Sequence, residues 1–313
     1  MKIGLDVMGG DFAPEATVSG AVLALDKLPE DCSLVLIGNK QKIIDLLHRE
    51  EKDPDSFEII PTTEQIEMGD HPAKSFAQKP NSSIVIGYRM LKAGEIDGFA
   101  SAGNTGAMLV GIGFAVKGIP GIIRPAIATI VPTLSGGANI LLDVGINPDS
   151  RPDVLYQHGI LGSLYAEHVL NIDNPRVGLL NIGAEESKGN LVVKSTYELM
   201  KGSTDFNFIG NVEGNDFFND KKVDVIVCDG FVGNVVLKAV EAFYAMIKQR
   251  KVEDPFFDRF NFEIYGGTPI LGINANVVIG HGISNNVAIM NMILQTREVI
   301  EANLIEKIKA FFK

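Results

Sequence analysis

The sequence predicts an α/β protein: a three-layer α/β/α sandwich on a mostly parallel sheet. Three observations carry that prediction. Short β-rich runs alternate with longer helical patterns along all 313 residues, as crossover connections require. VGLLNI (Val177–Ile182) and VDVIV (Val223–Val227) read as apolar runs of strands covered on both sides. Glycine-rich turns recur where strands stop, and in a parallel sheet those stops share one edge.

In chain order, strands are expected at Ile3–Val7, Leu34–Ile37, Phe57–Ile60, Gly98–Ser101, Ala126–Val131, Ile140–Val144, Val177–Ile182, Phe206–Ile209, Val223–Cys228 and Val277–Ile279. Helical spacing of apolar positions marks Pro14–Lys27, Lys40–Glu50, Ile84–Ala93, Thr105–Val116, Pro152–Leu170, Leu191–Lys201, Asn234–Lys251 and Asn285–Phe312. No repeat, low-complexity tract or dividing linker is visible. Residues 1–313 therefore read as a single domain, with a short helical excursion near 235–263.

Composition narrows the function. The chain is long enough to bury a sizeable core, and 46% of its residues are apolar. A net charge of −11 argues against nucleic acid as a partner, because that needs a basic face. Cys32 and Cys228 are the only cysteines, too few for a disulfide framework or a structural zinc site. MKIGLDVMGGD reads as a strand, not a signal peptide, and no apolar run reaches the length of a membrane span. The cytoplasm is the expected location.

The turns at the strand ends are LDVMGGDFAPE, ASAGNTGAM, LLNIGAEESKGN, FIGNVEGNDFF, VCDGFVGNVVLK and VVIGHGISNN. Gathered at one edge, they would offer backbone N–H groups at Gly9, Gly10, Gly106 and Gly233. They would also offer polar side chains at Asn104, Thr105, Asn139, Asn211 and Asn234, with acids at Asp11, Glu185 and Asp229. Cations are scarce there: Lys188 lies inside GAEESKGN and Lys79 precedes PNSS. Such a rim suits a small oxyanion such as phosphate, held by amides with one lysine as counter-charge. Lys188 stands at a helix start, a poor place for a cation on dipole grounds, so a surface role is the weaker reading. Asn234 reads equally as an N-cap or as a functional amide.

Other chemistries fit less well. GxxxxGK[ST] and HExxH are absent, and the GIG at Gly111–Gly113 lacks a GxGxxG frame, so neither a cofactor nor a metal is expected. His48, His158 and His168 fall on helical segments, whereas His71 and His281 lie in loops and suit orienting or proton-transfer roles. Cys228 ends an apolar strand and reads as packing.

In order along the chain, DVMGGDFAPE, KPNSSI, SAGNTGAM, IIRPAIA, SGGAN, GLLNIGAEESKGN, GNVEGND, VDVIVCDGFVGNVVLK and YGGTPILGINANVVIGHG resemble the PlsX family of phosphate acyltransferases. The pieces span nearly the whole sequence. The resemblance implies a fold like the phosphotransacetylases and the isocitrate dehydrogenase group, usually as a homodimer. It implies the reaction of long-chain acyl-ACP (acyl carrier protein) with inorganic phosphate, giving acyl phosphate for phospholipid synthesis. A membrane glycerol-3-phosphate acyltransferase then consumes that product. It also implies that Lys188, of the EESKG motif, and Asn234, of the DGFxGN motif, take part in catalysis.

One departure stands out. The family's long amphipathic hairpin looks shortened here, to a helix ending at Lys251 followed by EDPFFDRFNFE. Lys248, Arg250, Lys251 and Arg259 stand beside Phe256, Phe257 and Phe260, which suits an interface with a membrane or an acidic carrier as well as buried rings at a dimer contact. Peripheral placement at the inner face of the membrane is the alternative location. The rival functions are a phosphotransacetylase using acyl-CoA and a non-catalytic acyl-carrier binding module. A dehydrogenase is the weakest.

Overall fold

Residues GFAS show why the chain folds in layers. They form β4 (Gly98–Ser101), and neighbouring positions face opposite ways. Gly98 leaves its space to Thr296 and Ile300, since a Cβ there would lie 2.8 Å from each. Phe99, one residue on, meets Tyr88 edge-to-face with ring centroids 5.4 Å apart. A Cβ on Gly87 would fall 2.3 Å from that Phe99 ring. The strand is thus roofed by a helix on each face.

The computed structural model describes residues 1–313. The other strands are β1 (Lys2–Asp6), β2 (Ser33–Gly38), β3 (Glu58–Pro61), β5 (Ala126–Pro132), β6 (Ala138–Leu142), β7 (Arg176–Leu180), β8 (Asn207–Val212), β9 (Val225–Val227), β10 (Gly267–Leu271) and β11 (Asn276–Gly280). The first six helices are α1 (Glu15–Leu25), α2 (Lys40–Arg49), α3 (Pro72–Gln78), α4 (Ser83–Ala93), α5 (Thr105–Gly111) and α6 (Pro152–His168). The rest are α7 (Leu191–Met200), α8 (Gly230–Gln249), α9 (Pro255–Asp258), α10 (Phe262–Tyr265), α11 (Asn286–Glu301) and α12 (Leu304–Phe311).

The chain divides into two compact units, residues 1–118 with 262–305, and residues 119–261 with 306–313. In the first, the strand order is β3-β2-β1-β4-β11-β10. All pairs are parallel except β10 with β11. Ile3, Leu5, Leu34, Leu36, Val278, Ile289 and Ile293 are buried in its core, each worth roughly 1.5–3 kcal/mol of transfer free energy. In the second unit the order is β5-β6-β9-β7-β8, with only β5 antiparallel to its neighbour. Here α6 lies close on β9, because a Cβ on Gly162 would sit 2.5 Å from Val225.

The mostly parallel α/β architecture agrees with the sequence, and the differences have local causes. GTPIL forms β10 although Gly266, Gly267 and Pro269 read as loop; Pro is tolerated where a strand does not need that N–H. PAKSFAQ forms α3, too short for periodicity to reveal. The helix expected over Asn285–Phe312 breaks at Asn303, which takes a left-handed φ of 50°. The apolar helix at 105–116 changes to a π-turn from Ile112 onward.

By length and composition alone α8 passes the test for a membrane-crossing helix, with a mean hydropathy of 1.4. Its interior carries Lys238 and Glu241, which form an ion pair at 2.7 Å and break the apolar run when it is read as a string.

Candidate active site

In the second unit, β6, β9, β7 and β8 run parallel, so their carboxyl ends share one edge. Lys188 and Asn234 both lie in the segments that leave it. Lys188 is exposed and its ammonium has no carboxylate partner. Its loop is tied down by backbone: Asn181 Nδ2 donates to the Lys188 carbonyl at 3.2 Å, and Lys188 N–H donates to the Glu185 carbonyl at 3.1 Å. Asn211, buried at the end of β8, donates Nδ2 to that same Glu185 carbonyl at 3.0 Å. Asn211 therefore shapes the Lys188 loop from beneath. A Cβ on Gly183 would meet Lys188 Cγ at 2.9 Å and Glu185 Oε2 at 3.0 Å, so only glycine lets these side chains fold over it.

Asn234 is exposed on the second turn of α8, and its Nδ2 donates to the Val144 carbonyl at 3.2 Å. One amide hydrogen is used there, and the other stays available. The capping reading of Asn234 is removed, because α8 opens at Gly230 with Asp229 as its N-cap, accepting from Val232 N–H at 2.8 Å. That bond also reassigns Asp229 from the anion rim to a structural cap. Gly233 is required by close approach: a Cβ there would stand 1.9 Å from the Asp143 carbonyl oxygen. Cys228 is buried and donates its S–H to that oxygen at 3.6 Å. Burial, with the Asp229 and Asp143 charges, pushes its thiol pKa well up, which suits packing and not nucleophilic attack.

Asn139 does not belong to this edge. It lies at the start of β6, fully buried, and donates to the Phe217 carbonyl at 2.9 Å. Because β5 is antiparallel to β6, the SGGAN turn between them falls at the opposite end of the strands.

The first unit has its own convergence, where β1, β4 and β11 end together. Asp11 N–H donates to the Gly282 carbonyl at 2.7 Å, and a Cβ on Gly9 would lie 2.7 Å from the Gly103 nitrogen. Gly10 has φ of +119°, which side chains rarely adopt. The His281 ring lies 4.8 Å from that of Phe262, centroid to centroid. Thr105 is exposed, and the Thr105 and Gly106 N–H groups open α5 without an acceptor in the chain.

Asn104 is a staple rather than a free amide. Its Oδ1 caps α5 at Ala107 N–H, 2.9 Å away, and its Nδ2 donates to the carbonyls of Glu67, Met68 and Asp70 at 3.0–3.1 Å. Lys79 is committed too. Its Nζ lies 2.5 Å from Asp70 and donates to the Gln65 carbonyl at 2.7 Å, and this hydrogen bond holds the Asp70 carboxyl below its usual pKa range.

The basic cluster near 248–259 is also partly engaged. Lys248 pairs with Asp258 at 2.6 Å, and Arg259 donates to the carbonyls of Thr133 and Gly136. Phe256, Phe257 and Phe260 line an apolar groove of about 490 Å³ with Val236, Val240 and Phe243.

A profile of the family described as "Fatty acid synthesis protein" matches residues 1–254. The phosphate acyltransferase of Desulfitobacterium hafniense is 42% identical over 328 residues, covering 99% of this chain and 97% of the relative. That of Halothermothrix orenii is 42% identical over 329 residues, covering 99% and 98%. Among solved structures, a phosphotransacetylase from Streptococcus pyogenes superposes with a TM-score of 0.68 at 16% identity, covering 96% of this chain and 94% of the other. A branched-chain phosphotransacylase from Enterococcus faecalis gives 0.64 at 11%, covering 96% and 99%. These structures share the fold. The profile and the full-length identity together place the chain in the PlsX family of phosphate acyltransferases, which are transferases.

Proposed function

We propose that this protein moves a long-chain fatty acyl group from acyl carrier protein to inorganic phosphate. The observation that carries the reading is the unpaired ammonium of Lys188, on the same strand edge as the available amide of Asn234. A phosphate oxygen attacks the thioester carbonyl carbon and forms a tetrahedral oxyanion. The C–S bond then breaks, acyl phosphate leaves, and the carrier thiolate takes up a proton. Phosphate is itself the nucleophile, so the protein has to bind, align and stabilise charge. Lys188 neutralises phosphate or the oxyanion, and Asn234 donates a hydrogen bond to it. On the first unit's own strand edge, the Thr105 and Gly106 N–H groups are a separate set of donors suited to an anion. Gly9, Gly10, Asp11 and His281 are assigned to a substrate rim on that edge, and Glu185 to the rim beside Lys188. Ile182 and Leu191, 82% and 84% exposed, bracket Lys188 in sequence; apolar side chains beside a cation suit a fatty tail joined to an anionic head.

The same proposal includes a role in phospholipid synthesis ahead of a membrane glycerol-3-phosphate acyltransferase, and residues 1–313 acting as one functional domain in the cytoplasm. It also includes a homodimer, which would cover Phe231, Val235, Phe243 and Met246, each at least half exposed on α8. Mass spectrometry after mixing the protein with palmitoyl-ACP and phosphate tests the reaction. Acyl phosphate must appear only when phosphate is present. Palmitoyl-CoA at equal concentration is the comparison, and a clear preference for it would move the reading to a CoA-dependent enzyme. Carrier binding without thiol release would leave a binding module.

A further inference from the structure

We infer that Asp143 is a positioning residue for Asn234, an inference that rests on the catalytic reading of Asn234 given above. Asp143 follows the last residue of β6 and is fully buried. Its Oδ1 accepts from the backbone N–H groups of Ile127 at 3.0 Å, Gly145 at 3.2 Å and Ile146 at 3.3 Å. Its Oδ2 accepts from Asn147 N–H at 2.7 Å and from Asn147 Nδ2 at 2.8 Å. Every donor is an N–H group, so an acceptor-only carboxylate satisfies all of them and no neutral side chain of the same shape does. A buried polar cluster of this kind is rigid only while all of its members are satisfied.

The turn so fixed, residues 143–147, holds α8 at two points. The Asn147 carbonyl accepts from Gly230 N–H at 2.7 Å, setting the first residue of the helix. The Val144 carbonyl accepts from Asn234 Nδ2 at 3.2 Å, setting the direction in which the remaining amide hydrogen points. Val144 is in turn anchored to β5 by its N–H bond to the Ile127 carbonyl at 3.1 Å. The helix can come this near only because Gly230 and Gly233 lack side chains: a Cβ on Gly230 would lie 2.8 Å from Asp143 Oδ2. Asp143 touches no reacting atom. It acts through Val144, and an amide misplaced by about 1 Å is enough to lose on the order of 100-fold in turnover.

The test is Asp143→Asn, which keeps shape but turns one acceptor into a donor facing donors. Turnover should fall at least about tenfold while KM for phosphate stays within about threefold, the pattern of a group that acts in the transition state. In an Asn234→Ala background the same change should cost almost nothing more, because the amide it positions is gone. Side-chain amide NMR provides a readout independent of activity: the Asn234 NH2 signals should move in Asp143→Asn while those of Asn211 stay. Asn147→Ala, which removes one donor and leaves the backbone, should show the same coupling with a smaller loss if Asp143→Asn does not fold. Losses that add in the Asn234→Ala background, or an unmoved Asn234 signal, would overturn the inference. Absence of acyl phosphate with the wild-type protein would instead overturn the functional reading, whatever the amide signals do.

Discussion

Two stretches of the chain nearly repeat one another: LDVMGGD after the start of β1 and LDVGIN at the end of β6. Each puts a buried aspartate at a strand end, and each aspartate fastens a glycine turn. Their partners differ. Asp143 accepts only from N–H groups, whereas Asp6 accepts from the Ser101 hydroxyl at 2.7 Å as well as from Met8 N–H at 3.0 Å. Ser101 passes the contact on by accepting from Gly103 N–H at 3.0 Å. A hydroxyl can reverse its direction and a backbone amide cannot. The first unit thus has an adaptable clamp beneath backbone donors, and the second has a rigid clamp beneath Asn234.

If that division is right, catalytic loss should concentrate in the second unit. Lys188→Ala should reduce phosphate-dependent thiol release by about 100- to 1000-fold, the usual effect of losing a charge-stabilising donor. Lys79→Ala removes the other lysine of the strand-end loops, yet its ammonium is already spent on Asp70. It should change turnover by less than about tenfold and act chiefly by loosening the 65–70 loop. Equal losses in the two variants would break the comparison.

Next in size are the glycines against each clamp. Gly233→Ala drives a methyl onto the Asp143 carbonyl oxygen, 1.9 Å away on the backbone. Gly9→Ala meets Asp6 Oδ2, a side-chain atom, at 2.3 Å and backbone only farther off, at the Gly103 nitrogen 2.7 Å away. Overpacking typically costs about 1–3 kcal/mol, and more where the obstacle cannot move. Gly233→Ala should lower the urea midpoint more than Gly9→Ala, and by the larger margin if the second clamp is the rigid one.

The strand-end turns are legible in the sequence, and so are Lys188 and Asn234 as candidates, because glycine, asparagine and scarce lysines stand out against apolar strands. The sequence did not show which polar residues were already spent. Asn104 looked like a donor for a ligand and proved to hold three carbonyls and a cap. Asn139 looked like a rim residue, but strand direction decides which end a turn occupies, and β5 runs antiparallel to β6. Asp143 and Asp6 do not stand out as clamps, since an aspartate after an apolar run reads as the first exposed residue. The repeated LDV was the available signal. Asn104→Ala measures this directly: losing the cap and the staple should cost about 1–2 kcal/mol by chemical denaturation. Turnover per folded molecule should fall far less than in Lys188→Ala.

The smallest effect belongs to Asp6→Asn, and its sign with pH is the sharpest check on the adaptable clamp. Burial pushes the Asp6 carboxyl up from its ordinary value, with hydrogen bonds from Ser83, Ser101, Met8 and Gly9 opposing the rise. The unfolded chain releases that proton near an ordinary aspartate value of about 3.9. Between that pH and the raised native value the folded state binds more protons, so this group's contribution to stability falls as pH rises. Above the native value the loss is complete and constant. Asparagine carries no such proton, and its amide can donate to the Ser101 oxygen once the hydroxyl turns. Relative to wild type, Asp6→Asn should therefore become more favourable as pH is raised above about 4. Urea midpoints across that range read it out. A variant that instead loses ground with rising pH would mean that the folded state favours the charged form of Asp6, and the contrast between the two clamps would vanish.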